Sequence, residues 1–257
     1  MLYSLISAFL MYSRIPMPQI PWEEKNRRYA LCFFPLIGAV IGGMLRGWYL
    51  LADKLSLPDA VFAVTASAIP LLITGGIHLD GFCDVEDACA SCGDRPQKLQ
   101  IMSDPHIGAF AVMRLVLYLL IQTGFLLLVR DSECAAVISC GFVLSRTLSG
   151  LAAVTFRCAK KVGTLQDFVK PAHRKVTVLT LTVTGILTAV GMVLLSPFAG
   201  AVGVCLGFAV FLYYKRFSER TFGGITGDTE GWFLQVCELW ILIGCTLTRW
   251  LEGLEWF

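Results

Sequence analysis

Apolar residues in this chain neither alternate nor recur on a single face; they run on. Nearly unbroken apolar stretches occupy 29–51, 58–76, 107–130, 134–156, 176–196, 198–213 and 232–251. A helix rises about 1.5 Å per residue, so about 20 such residues cross a hydrocarbon layer roughly 30 Å thick. The pattern predicts seven transmembrane helices. Backbone N–H and C=O groups find no water in lipid, so the fold class is all-α, a polytopic helix bundle forming one membrane domain over residues 1–257. Residues 1–13 are also apolar but lack a basic leader and a small-residue cleavage site. They are expected to stay as a helix on, or partly inserted into, the membrane surface. Tight connections at Leu57–Pro58 and Ser196–Pro197 predict antiparallel neighbours, and the glycines of Ile37–Gly43 permit close helix approach.

Composition agrees: 56% of residues are hydrophobic and 16% charged, with a mean hydropathy of +0.69, which excludes an ordinary water-soluble domain. The net charge of +2 becomes informative only once it is divided among the connections. Fifteen Lys and Arg residues fall before the first span or in the stretches 77–106, 157–175 and 214–231, whereas the alternate connections hold only Lys54 and Arg130. With seven spans the four basic segments share one side, which the positive-inside rule makes cytoplasmic. A multi-pass bacterial cell-membrane protein with its polar face in the cytoplasm is expected, with the lipid bilayer as partner and no nucleic acid. The ten cysteines lie mostly inside spans and imply no disulfide framework.

Two polar stretches on that face carry candidate chemistry. The first, residues 74–110, reads TGGIHLDGFCDVEDACASCGDRPQKLQIMSDPHIGAF. Asp80, Asp84 and Asp87 stand at i, i+4 and i+7, so a helix here would project all three from one stripe. Like charges so placed repel unless a cation sits among them. Hard oxygen donors that leave part of the shell open suit Mg²⁺, which keeps waters and shares substrate phosphates. Asp104 returns to the same surface and completes an expected metal set of Asp80, Asp84, Asp87 and Asp104. Glu86 points to another face and is expected to be solvated. His78 is a candidate phosphate or carboxylate partner. Cys89-x-x-Cys92 lacks the second pair of a zinc site.

The second stretch, 218–231, reads SERTFGGITGDTEG. Closely spaced Gly223, Gly224 and Gly227 free backbone N–H groups to approach an anion, while Thr226, Asp228 and Thr229 supply oxygens for phosphate and metal. Arg146 lies within the fourth span, where a charge needs a partner or a water-filled cavity, and is expected to contact substrate.

These pieces together resemble the cobalamin synthases, the adenosylcobinamide-GDP ribazoletransferases. The family's signature appears as Thr74-Gly75-Gly76-Ile77-His78-Leu79-Asp80-Gly81-Phe82-Cys83-Asp84-Val85-Glu86-Asp87, its second element as Ile101-Met102-Ser103-Asp104 through Gly108, and its third as Gly223 through Gly231. Weaker echoes are Arg14-Ile15-Pro16-Met17-Pro18, Phe34-Pro35-Leu36-Ile37-Gly38 and Ser145-Arg146. The chain departs from the pattern at Ala88, where glycine is common, and at Glu230 and Trp232, where smaller apolar residues are expected.

The resemblance implies the last joining step of adenosylcobalamin assembly. The 5′-hydroxyl of α-ribazole, or its 5′-phosphate form, attacks the cobinamide-linked phosphorus of adenosylcobinamide-GDP, giving adenosylcobalamin or its 5′-phosphate and releasing GMP. Asp80, Asp84, Asp87, Asp104 and Asp228 would be catalytic, with Mg²⁺ on the first four. His78, Arg146, Gly223, Gly224, Thr226, Gly227 and Thr229 would bind substrate. Two other readings stay open: a CDP-alcohol phosphotransferase-like lipid synthase, which shares the acid spacing but not the second half of that family's motif, and a cation-coupled transporter. A homo-oligomer is also left open.

Overall fold

The seven apolar stretches become six long helices and one bent pair in the computed structural model, which describes residues 1–129, 131–160 and 163–254. Among the described residues there is no strand, only one isolated bridge between Cys158 and Ile225. The all-α membrane bundle expected from the pattern is therefore the fold observed.

The chain begins with α1 (Leu2–Tyr12) and the short α2 (Glu24–Arg27), which lead through a 3-10 turn into α3 (Phe34–Lys54). α1 is drawn into the bundle, with Ile6, Ala8 and Phe9 buried. Then follow α4 (Asp59–Thr74), α5 (Ile77–Ala90), α6 (Arg95–Ile101), α7 (Ala109–Leu126) and α8 (Ser132–Thr155). The chain closes with α9 (Thr164–Val169), α10 (Arg174–Leu195), α11 (Pro197–Thr221) and α12 (Gly227–Gly253). The short run at 198–213 reaches spanning length because α11 continues through the polar residues up to Thr221.

The second span is where pattern and structure differ. α4 stops at Thr74, and α5 leaves it at a bend of 96°. Gly75 and Gly76 make the bend, with φ of 67° and 85°, the left-handed region that only glycine enters without cost. The backbone N–H of Arg14 donates to the Ile73 carbonyl at 2.7 Å and braces the corner. If α4 crosses the layer, α5 runs near the membrane plane, outside the spans. Residues 74–110, the polar stretch after the second apolar run, are thus mainly the helices α5 and α6.

α8 and α12 form the buried centre; α3, α10 and α11 pack on α8, while α5 and α11 pack on α12. Gly38 and Gly42 let α3 touch the α8 backbone, where a Cβ would lie 2.2 Å from the Phe142 carbonyl oxygen and 2.3 Å from that of Ser139. Leu72, Leu120, Leu187, Leu194 and Phe198 face outward, as lipid contact requires.

The basic segments meet at one end of the bundle. Arg27 donates to the Asp167 carbonyl at 2.8 Å, Arg95 to that of Arg220 at 3.2 Å, and Lys160 to the Ser103 hydroxyl at 3.0 Å. Arg130 and Lys161, counted in the charge asymmetry, lie outside the described residues.

Candidate active site

Because α5 is helical, its acids do share a stripe, but tertiary packing gives them different partners. Asp80 is exposed and lines a cavity, whereas Asp84 is half-buried. Asp87 faces the start of α7, where one carboxylate oxygen accepts from the Gly108 N–H at 2.6 Å and the other from the Ala111 N–H at 2.8 Å. A carboxylate at a helix N-terminus satisfies orphan donors and the helix dipole together. Asp87 is therefore a tertiary cap with each oxygen accepting a hydrogen bond, a partner the expected metal set did not foresee.

The first turn of α12 crosses α5 with no side chain between the two backbones at the crossing. A Cβ on Gly81 would stand 2.8 Å from the Asp228 Cα, and one on Gly231 would stand 2.7 Å from the His78 carbonyl oxygen. This contact brings Asp228 against Asp80 and Asp84. Burial first, then the charges of Asp80, Asp228 and Asp87, push the Asp84 carboxyl up to about 7, with Lys160 pulling the other way. Among the described residues, no cation is ion-paired with these three acids.

Asp104 does not join them. It is exposed and takes the His106 N–H at 2.9 Å and the His106 ring Nδ1 at 2.7 Å, contacts that hold its carboxyl below the usual range. Its carboxylate thus has its partner within its own loop. Among the described residues, no three His, Cys, Asp or Glu side chains form a ready-made metal cage, and Cys89 and Cys92 are free thiols. Glu86, expected to be solvated, accepts from the Trp232 indole N–H at 2.8 Å and faces Arg114.

The glycine-rich stretch is shorter than expected. Helix occupies it up to Thr221 and again from Gly227, leaving a five-residue turn. Gly223 and Gly224 have φ of 81° and 154°, but the Gly224 N–H donates to the Ser218 carbonyl at 3.1 Å and the Ile225 N–H to that of Arg157 at 2.8 Å. A Cβ at Gly224 would lie 2.4 Å from the Arg157 carbonyl oxygen. The Gly224 N–H is thus used within the turn, and Ile225 ties the turn to the 157–159 segment. Thr226 and Thr229 form the capping box of α12, with reciprocal bonds of 3.1 and 2.8 Å. Gly227 remains open on the cavity at the positive end of the α12 dipole.

Arg146 is buried beside Glu238, which it contacts at 2.5 Å, and it also donates to the Phe142 carbonyl at 3.1 Å. It does not line the main cavity, and its partner in the structure is Glu238, which a reading of the fourth span alone could not supply. His78 is buried in the cavity wall between Tyr12 and Phe34, its two ring nitrogens without hydrogen-bond partners. Burial and then Arg146 lower its pKa to about 3, so the ring is neutral.

The cavity measures about 440 Å³. Asp80, Gly227, Asp228 and Lys160 form its solvent side, while Leu31, Phe34, Ala153 and Leu234 line its buried side with Ser149 and Glu230. Lys160, Ser149 and Glu230 were not singled out as site residues; the signal was weak, a basic loop and one departure from a motif. Pairing of Cys158 with Ile225 is what carries Lys160 to the acids. Carboxylates, a lysine and a helix N-terminus around a cleft with an apolar interior suit a ligand with phosphates at one end and a flat apolar group at the other.

The comparisons point the same way. A relative from Lachnoclostridium phytofermentans, an adenosylcobinamide-GDP ribazoletransferase, is 43% identical over 238 residues, covering 93% of this chain and 91% of that one. Proteins of the same name from Pseudomonas fluorescens and Clostridium perfringens are 32% and 30% identical, covering 93% and 89% of this chain and 96% and 91% of their own. No solved structure matches the chain. The model of one family, cobalamin-5-phosphate synthase, matches residues 4–246, all three motifs included, and the chain belongs to that family.

Proposed function

We infer that this chain joins adenosylcobinamide-GDP to α-ribazole or its 5′-phosphate, giving adenosylcobalamin or its 5′-phosphate and GMP. The observation that carries the chemistry is the convergence of Asp84 with Asp80 and Asp228, the latter two lining a cavity that also presents Lys160 and the N-terminus of α12, with no cation among the described residues ion-paired to the three. Transfer of a phosphorus centre requires in-line placement of two oxygens and neutralisation of charge on the group between them. A ribose oxygen bonds to the cobinamide-linked phosphorus, the bond from that phosphorus to the GMP oxygen breaks, and the hydroxyl proton passes to a carboxylate of the cluster. The attacking group is not the 5′-hydroxyl expected above: a 5′-phosphate product, as the family's description states, requires that the 5′ oxygen already carries its phosphate. Another ribose hydroxyl attacks.

Asp80, Asp84 and Asp228 offer only hard oxygen donors, and their mutual repulsion favours a bound cation, which fits Mg²⁺. Bound there, Mg²⁺ would withdraw charge from the diphosphate. Lys160 and the α12 N-terminus attract the same anion. Asp87 acts at one remove, holding α5 to α7. The GDP-activated substrate and the basic end of the bundle support a site on the cytoplasmic face of a bacterial cell membrane. A lipid synthase or transporter has no comparable support from the motifs.

The test is incubation of the purified chain in lipid with adenosylcobinamide-GDP, α-ribazole 5′-phosphate and Mg²⁺, with products identified by mass. Release of GMP with formation of adenosylcobalamin 5′-phosphate is expected and should cease on chelation. Absence of GMP would overturn the assignment.

A further inference from the structure

Both ring nitrogens of His78, the hydroxyl of Tyr118 and the Nε of Arg146 are buried without hydrogen-bond partners, and the three side chains border one space. Each is more than nine-tenths buried. The space is a chamber of about 30 Å³ between α4, α5, α7, α8 and α12, which Gln122 and Gln235 also line. It is separate from the active cavity, and His78 alone among the described residues lines both. The His78 ring is set against those of Tyr12 and Phe34, with centroids 6.3 and 6.0 Å away.

A polar atom buried without a partner costs free energy, so four around one chamber point to something that pairs with them. An apolar occupant would leave all four as they are. A water needs about 10–15 Å³ and two to four polar partners, so this chamber suits one or two waters and no larger ligand. Polarity then fixes how such a water is oriented. Arginine carries donors only. The Arg146 Nη1 is taken by Glu238, the Phe142 carbonyl and the Ser145 hydroxyl, which leaves its Nε–H for the chamber. A water that accepts from this cationic donor turns its own hydrogens away, toward Tyr118 and His78. The His78 nitrogen on that side is therefore an acceptor. A neutral imidazole has a single N–H, which must lie on the other nitrogen.

We propose that this chamber is a hydration site and that Arg146 acts through its water as a positioning residue. It makes the chamber-side nitrogen of His78 an acceptor and so presents the His78 N–H to the active cavity, as a donor for an oxygen of the bound ligand. The inference does not depend on the reaction inferred above, because neither the chamber nor the tautomer requires a particular substrate.

Two measurements on the full chain in lipid test it. In the first, X-ray pulses in heavy-oxygen water generate hydroxyl radicals from bound water, which mark the side chains beside it. Tyr118 is expected to take up the label although only 4% exposed. Tyr214 is the control, fully buried, paired with Thr229 and lining neither space. Tyr118 labelled no more than Tyr214 overturns the hydration site. The second is nitrogen NMR of the chain labelled at its three histidines, with the His78 ring identified by its absence in His78→Gln. A single neutral tautomer is expected, becoming a mixture in the paired replacement Arg146→Met with Glu238→Leu. A role for Arg146 confined to holding α8 to α12 would leave the tautomer as it is. Comparable amounts of both tautomers in the wild type, or one unchanged in the paired variant, overturns the relay. The labelling needs no substitution, so a variant that fails to fold leaves that test intact.

Discussion

Replacing Asp84 by Asn separates what the acid cluster costs the fold from what it does for the reaction. In the metal-free protein the Asp84 carboxyl is pushed from 3.8 up to about 7 by burial and by three neighbouring acids. A native-state value above the unfolded one means that the native state binds the proton more tightly, so stability falls as pH rises from about 4 to 7 and the full penalty applies above 7. The displacement corresponds to about 4 kcal/mol, which solvent screening at this half-buried position reduces to about 2 kcal/mol. Asparagine keeps the shape and carries no charge, so it removes the penalty. At about 2–4 °C per kcal/mol for a chain of this size, Asp84→Asn should raise the melting temperature by roughly 4–8 °C at pH 8 under chelation, and by almost nothing at pH 4. Mg²⁺ should stabilise the wild type by binding the native state and do little for the variant, while turnover by the variant falls to background. Thermal unfolding in detergent, with and without chelator at the two pH values, reads all of this. A variant less stable than the wild type at pH 8 under chelation would refute the picture of a repulsive cluster waiting for a cation, as would retained activity.

Asp87→Ala should behave in the opposite way, losing about 2 kcal/mol of stability as the N-terminus of α7 loses its cap. Its residual activity should keep the wild-type dependence on Mg²⁺ concentration, whereas a large rise in the Mg²⁺ required would return Asp87 to the metal shell. Glu238→Ala should cost about 3–5 kcal/mol by stranding Arg146 in the core, and the paired replacement Arg146→Met with Glu238→Leu should recover most of it. Turnover by that pair, measured with adenosylcobinamide-GDP, is expected within a few-fold of wild type; a total loss would mean that Arg146 touches substrate. Asp84→Asn and Asp228→Asn should each remove most of the rate, and the double variant should be hardly worse than the poorer single one, because residues acting as a unit do not add. Strictly multiplicative losses would separate the two helices into independent sites.

The long apolar runs by themselves determined that the chain is a helical membrane bundle, because lipid leaves the backbone no other way to satisfy its polar groups. The motifs and their order were enough to name the family and to single out Asp80, Asp84 and Asp228 as candidates. What they could not convey was which side chains were already engaged. The i, i+4, i+7 spacing describes one helix face, but not that α7 begins opposite the last position and takes both oxygens of Asp87. Asp104 looked equivalent to the stripe because it returns to the same surface, yet it turns to His106 within its own loop. The glycines of 223–224 have the spacing of an anion-binding loop, but the Gly224 N–H is committed to Ser218, six residues away, and the adjoining Ile225 N–H to Arg157, 68 residues away. Arg146 and Glu238, 92 residues apart, are one buried pair. In each case a local pattern specified the chemical capacity of a residue, while packing between helices distant in sequence decided whether that capacity was spent on the fold or left facing the cavity.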